Sequence, residues 1–276
     1  MLCDSVLCTL HPAPCTLHPA PGNRQPYNPV PVHRFFAPGL DAGDEIVTLP
    51  RDEAEHLRRV LRLGVGDAVA VFDGRGHEFL ARVASVVRRD VRLQIQSRVS
   101  PPPEPIVALT LAQAVLKGDK MDDVVRDAVM LGVAAIQPIV TRRTEATVAA
   151  LIRSARVERW RRVALASVKQ SRRAVLPDVR TPLTFENFLH EPPASLRLML
   201  VEPSSSSGHP VSRLQDQPIP SDASLLVGPE GGWTDEECAA AQGHAVQLVT
   251  LGHRTLRADA VPIAAISVLQ FLWNDL

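Results

Sequence analysis

The spacing of apolar residues changes once along this chain, near residue 101. Before that point the apolar runs are short and alternate with polar residues: DEIVTLP, then DAVAVFDGRGHEFLARVASV, then DVRLQIQSRV. A period of two, rich in valine and isoleucine, predicts strands with one face buried. The Asp73-Gly74 and Arg75-Gly76 pairs fall between two such runs and predict a hairpin turn, whereas AEHLRRVLRL has helical spacing. A small β-barrel with one helix, over residues 31–100, is the economical solution. The prolines of PPPEP at 101–105 then break both helix and sheet.

Beyond the break, strand and helix patterns alternate. IVALTLAQAV, AAIQPIVT, LRLMLVEP, ASLLVGP and AVQLVTLG read as buried strands. KGDKMDDVVRDAVMLGV, VERWRRVALASVKQSRR, TDEECAAAQ with Thr234 as N-cap, and ADAVPIAAISVLQFLW read as helices. This alternation predicts an α/β domain with a mostly parallel sheet over residues 105–276. In such sheets a ligand sits outside the carboxyl ends of the strands. Three loops fall there: VEPSSS at 201–206, VGPEGGWTDEE at 227–237 and LGHRTLRADA at 251–260.

Composition narrows the options. With 276 residues, 45% hydrophobic, the chain has material for two domains. Thirty basic residues balance thirty acidic ones, so net charge neither announces nor excludes a nucleic-acid partner. Lysine is scarce: Lys117, Lys120 and Lys169 stand against 27 arginines, a bias typical of GC-rich coding. Of the four cysteines, Cys3, Cys8 and Cys15 lie near the start and Cys238 in the body, so no disulfide framework is implied and a reducing, cytoplasmic setting fits. No membrane span or signal segment is apparent. Residues 1–30 repeat CTLHPAP in tandem and read as a disordered Pro-rich tail, translated from upstream DNA, with a native start near Val30 or Val32. Proline after each histidine and the lack of Cys-x-x-Cys spacing speak against a metal site.

The glycine turn of VGPEGGWTDEE is not a phosphate loop. No lysine adjoins the glycines, and the helix that follows opens with Asp235, Glu236 and Glu237, which would repel an anion from its N-terminus. VGPEGGWTDEE, followed some twenty residues later by LGHRTLRADAVPIAAISVLQ, resembles instead the C-terminal motifs of SPOUT methyltransferases, specifically the RsmE family of 16S rRNA uracil-N3 methyltransferases. HRFFAP, AEHLRRVLRLGVGD and VFDGRG resemble that family's PUA-like RNA-binding barrel, and KGDKMDDVVRDAVMLGV, IQPIVTRRTE and ERWRRVALASVKQS extend the match. The likeness runs from about His33 to the C-terminus.

The resemblance implies a trefoil-knotted α/β domain, an exception to the general absence of knots. S-adenosylmethionine would be held by Leu200, Val201 and Glu202 of the first loop, and by Val227, Gly228, Pro229, Glu230, Gly231 and Gly232 of the second. Leu251, Gly252, Arg254 and Leu256 of the third would complete the pocket. The glycines would admit main chain against the cofactor. Glu230 either secures its loop or faces the substrate. Where the family has glutamate, threonine and an aliphatic residue, this chain has Asp259, Ala260 and Thr255; where glycine is usual it has Arg172.

Methyl transfer to a uracil N3 needs the imide proton removed and the resulting anion stabilised. Arg257 and Arg254 are candidate cations and Asp259 a candidate proton acceptor; a salt bridge from these arginines to Glu230 or Asp259 is the ordinary alternative. RNA contact is expected from His33, Arg34, Arg58, Arg59 and Arg62, with the arginines of RRVLR sharing a helix face, and from Arg142, Arg143, Arg172 and Arg173. The partners implied are 16S rRNA within the assembled small subunit and a second copy of the chain, through Trp160, Val163 and the closing helix, residues that could equally be core. Competing readings are a SPOUT enzyme acting on another nucleotide or on ribose, a non-catalytic RNA-binding protein, and an ATP-using enzyme.

Overall fold

A computed structural model describes residues 33–88, 90–205 and 208–275. The Pro-rich tail, with Cys3, Cys8 and Cys15, lies outside the described residues, as do Ser206 of the first loop and Ser207. The strands β1 (His33–Phe36), β2 (Ile46–Thr48), β3 (Ala68–Phe72), β4 (Glu78–Val87) and β5 (Asp90–Val99) form one sheet in the order β1-β3-β4-β5-β2. Only the β1–β3 pair is parallel. Phe35, Val69, Val71, Val83, Val91 and Leu93 point inward, and two register shifts between β4 and β5, at Leu80/Ala81 and Val83/Ser85, let this small sheet bend around them.

The predicted hairpin turn joins β3 to β4. Asp73 organises it, its carboxylate accepting the backbone N–H groups of Arg75 (2.7 Å) and His77 (3.1 Å) and meeting His77 Nδ1 at 2.7 Å. Gly74 has φ +78°, and a Cβ there would lie 2.8 Å from the Phe36 ring.

The predicted helix AEHLRRVLRL is two short pieces. α1 (Arg51–Glu55) passes into a π-helical turn, His56–Val60, and Arg62 lies past its end with φ +56°. The wider turn and the left-handed residue remove the shared α-helical face expected for Arg58, Arg59 and Arg62. Arg58 is half-buried, and Arg59 and Arg62 are exposed.

The second sheet is parallel throughout. Its strands are β6 (Ala108–Ala114), β7 (Ala135–Val140), β8 (Asp178–Val179), β9 (Leu183–Thr184), β10 (Leu196–Leu200), β11 (His209–Pro210), β12 (Asp222–Val227) and β13 (Gln247–Thr250). They run in the order β11-β13-β10-β12-β6-β7-β8, with β9 also on β7. The helices are α2 (Lys120–Met130), α3 (Val148–Arg153), α4 (Arg156–Ser171), α5 (Phe185–His190), α6 (Asp235–Gly243) and α7 (Val261–Leu272). After β13 the chain crosses back over the ends of β10 and β12, and α7 ends against α2, where Gln270 Nε2 donates to the Leu131 carbonyl. Trp160 is 1% exposed and belongs to the core, so it is no dimer surface; its indole is closed in by α2 and α4 packing. Among the described residues no helix is long and apolar enough to cross a membrane.

The two sheets are joined by buried charge. Arg34 forms two bonds to Glu78 (2.8 and 2.9 Å) and donates to the carbonyls of Val168, Lys169, Arg172 and Arg173 at 2.9–3.2 Å. It therefore caps the C-terminus of α4, where four carbonyls lack helical partners. Lys169 pairs with Glu53, and Arg173 with Glu104 and the carbonyls of Val129 and Val133. The hairpin tip docks beside them through Gly76 N–H to Ala174 O (3.1 Å) and Leu176 N–H to Gly74 O (2.9 Å). Arg34 and Arg173, expected on RNA, are thus structural: their side chains are 9% and 7% exposed and their donors are engaged.

Candidate active site

The loops after β10, β12 and β13 converge on one cavity. Its lining includes Leu200, Val201 and Glu202, then Val227, Gly228, Pro229, Glu230 and Gly232, then Leu251, Arg254 and Leu256, together with Pro203, Trp233, Thr255, Ala258 and Val261. Gly231 and Gly252 belong to the same loops but do not line it. Walls of aliphatic side chains and strand-end backbone suit a flat, partly apolar ligand.

The second loop is fitted closely. Trp233 Nε1 donates to the Leu200 carbonyl at 2.8 Å and ties the loop to β10. A Cβ on Gly228 would lie 3.1 Å from that indole, and one on Gly231 3.2 Å from Arg143 Cδ. Gly232 takes φ +69°, a region that glycine enters freely. Trp233 was not expected to contribute; its position directly after GPEGG was the available signal.

Thr234 caps α6 as its position predicts. Its hydroxyl accepts the Glu237 N–H at 3.2 Å, while Glu237 Oε2 accepts the Thr234 N–H (2.9 Å) and Oε1 accepts the Arg142 N–H (2.9 Å). The helix N-terminus already faces a carboxylate, so it offers nothing to a triphosphate.

Glu230 secures its loop. It accepts Lys120 Nζ at 2.8 Å and the Lys117 backbone N–H at 3.2 Å, which ties the glycine turn to the start of α2. Burial pushes the Glu230 carboxyl up, but Lys120 and the backbone N–H groups outweigh it and hold the group below the ordinary glutamate value.

The proposed catalytic groups divide. Arg254 lines the cavity and is exposed. Arg257 and Asp259 are not among the lining residues; they bond each other at 3.2 Å through two contacts, with Arg257 76% exposed. Against the upward effect of burial, Asp259's own backbone N–H, Arg257 and Lys120 hold its carboxyl below the ordinary aspartate value. The pair is the ordinary salt bridge that stood as the alternative to a catalytic role for these residues.

Of the remaining RNA candidates, His33, Arg142 and Arg172 are exposed. Arg143 is exposed but lies along Gly231 and donates to its carbonyl. Arg172, at the position where glycine is usual, is the left-handed C-cap of α4 with φ +63°. The glycine preference there is a backbone requirement.

Comparison with known proteins agrees with this geometry. A family model described as an RNA methyltransferase domain matches residues 102–270, and one described as an RNA methyltransferase PUA domain matches residues 49–96. The chain is 35% identical, over 82% of its length and 73% of the relative's, to ribosomal RNA small subunit methyltransferase E of Synechocystis. Among solved structures, a methyltransferase from Legionella pneumophila in complex with bound SAM aligns with TM-score 0.78 at 30% identity, covering 87% of this chain and 97% of that one. A ribosomal RNA small subunit methyltransferase E from Neisseria gonorrhoeae bound to S-adenosyl methionine aligns with TM-score 0.77 at 31% identity, covering 88% and 98%. The expected fold, a SPOUT-type α/β domain preceded by a PUA-like domain, is the one these matches share.

Proposed function

Because the chain belongs to the RNA methyltransferase family of the small subunit methyltransferase E proteins, we propose that it methylates N3 of a uridine in 16S rRNA of the small ribosomal subunit, using S-adenosylmethionine. The observation that carries this reading is the cavity at the ends of β10, β12 and β13, where Gly228 packs closely against the Trp233 indole and Gly232 takes a left-handed φ of +69°. The residues fit the methyl donor. Leu200, Leu251, Leu256 and Val261 supply apolar walls, loop backbone supplies hydrogen bonds, and Glu202 adds a carboxylate able to accept ribose hydroxyls.

Bound S-adenosylmethionine supplies a methyl group on a sulfonium, so the chain's own task is to orient the base and hold water away. His33 on β1, Arg59 in the π-helical turn, Arg62 just past it and Arg142 near the cavity offer phosphate contacts for RNA presented by the subunit. The chain acts as a homodimer in this reading: Ile263 and Phe271, two turns apart on α7, are 40% and 70% exposed and form an apolar face for a second copy.

Mass spectrometry of small-subunit rRNA from a strain lacking the gene, with and without restoration, tests the reading. Loss and recovery of one N3-methyluridine supports it; an unchanged modification pattern refutes it. Calorimetry with ATP and with S-adenosylmethionine separates it from a nucleotide-using enzyme, for which ATP alone would bind.

A further inference from the structure

The chain carries only three lysines among its thirty basic residues, and two of them, Lys117 and Lys120, adjoin the cavity loop. In a chain whose basic charge is almost all arginine, a lysine beside the cavity loop draws attention to a site that a guanidinium does not serve. The two groups differ chemically: an ammonium is a compact point charge, a guanidinium a broad planar fork. Lys169, the third lysine, has a structural reason, its pairing with largely buried Glu53 between the two sheets.

Lys120 occupies an unfavourable place. It is the first residue of α2, where the helix dipole favours carboxylates over cations. Its side chain is 35% exposed, and its ammonium meets one carboxylate, Glu230, which itself lines the cavity. An ammonium has three donors, so two remain for a ligand. Neither Lys120 nor Arg257, the alternative cation, lines the cavity itself, but Lys120 bonds the lining carboxylate Glu230 whereas Arg257 is engaged by Asp259, which does not line it.

We propose that Lys120 is a catalytic residue: its ammonium, oriented by Glu230, binds a carbonyl oxygen of the target uracil and stabilises the anion formed when N3 loses its proton. The proposal rests on the methyl-transfer reading above. In the step, the N3–H proton leaves to water. The nitrogen pair then forms the bond to the methyl carbon, and the carbon–sulfur pair returns to sulfur, giving a neutral thioether. The negative charge on the uracil oxygens exists between proton loss and methyl transfer, so a cation placed there favours the transition state over the ground state.

Lys120→Met and Lys120→Arg, compared with the unsubstituted protein, test this. The readouts are S-adenosylmethionine affinity by calorimetry and the single-turnover rate on small subunits that lack the modification. We expect Lys120→Met to bind the donor within about threefold and to lose roughly 100-fold or more in rate, the loss seen when one charge-stabilising donor is removed. Lys120→Arg should recover only part of that loss. A Lys120→Met rate within about threefold of the unsubstituted protein would overturn the proposal, as would a loss of donor affinity as large as the loss of rate, which would make Lys120 only a strut for Glu230. If the unsubstituted protein itself fails to bind the donor or to methylate the subunit, the underlying reading falls instead.

Discussion

The junction between the two sheets and the cavity at the strand ends are both crossed by ion pairs, yet they use charge in opposite ways. At the junction Arg34 is 9% exposed and engages Glu78 and four carbonyls. At the cavity Lys120 is 35% exposed and holds one carboxylate. A buried charge whose donors are all engaged has nothing left for a ligand, and removing it strands its partners. A half-open charge with donors to spare costs the fold little and can serve chemistry. The contrast separates basic residues that look alike in sequence.

The sharpest way to break the comparison is Arg34→Met. It leaves the Glu78 carboxylate buried without its partner and uncaps α4, so a loss of about 3–5 kcal/mol of stability is expected in chemical denaturation. S-adenosylmethionine affinity of the folded protein should hold. Unchanged stability with lost RNA binding would return Arg34 to the RNA surface.

Asp73 extends the test to pH. Burial raises its carboxyl, but His77, the Arg75 and His77 N–H groups and the Arg75 side chain overcome that and hold it below the ordinary value. A depressed carboxyl contributes stability above its unfolded value and loses it as pH falls through the folded one, so the contribution should fade below about pH 4. Asp73→Asn should cost about 1–3 kcal/mol at neutral pH and flatten the acid limb of the stability profile. Equal slopes in both proteins would show that Asp73 does not organise the hairpin.

Gly228→Ala addresses the other region. The new Cβ would sit 3.1 Å from the Trp233 indole, forcing that ring or the loop to shift by a few tenths of an ångström. Overpacking of this kind costs about 1–3 kcal/mol, and we expect it to appear as roughly tenfold weaker donor binding in calorimetry. A drop in melting temperature without weaker binding would place the loop outside the donor site.

The sequence carried these two regions unequally. The strand–helix alternation, the Asp73 hairpin, the Thr234 cap and the three convergent loops were legible because each depends on residues close together in the chain. Arg34 and Arg173 were misread because their carboxylates lie at Glu78 and Glu104, 44 and 69 positions away, and a basic residue in a polar stretch looks the same whether or not a distant acid buries it. The helix around AEHLRRVLRL was legible as a helix but not as a π turn, since the apolar spacing barely distinguishes the two. Lys120 was overlooked because its meaning lies in a contact with Glu230, 110 positions on.

The smallest expected effect gives the finest test of where the cation lies. Arg257 is 76% exposed, and its bonds to Asp259 are those of a surface pair, worth about 0.2–1 kcal/mol. Arg257→Ala should therefore leave the melting temperature nearly unchanged, and donor affinity with it, because the side chain does not line the cavity. Its effect on single-turnover methylation should be far smaller than that of Lys120→Met. Should the order reverse, with Arg257→Ala the more damaging, the last loop must rearrange when RNA binds and bring Arg257 inward, and half-open charge would cease to mark the reacting side of the cavity.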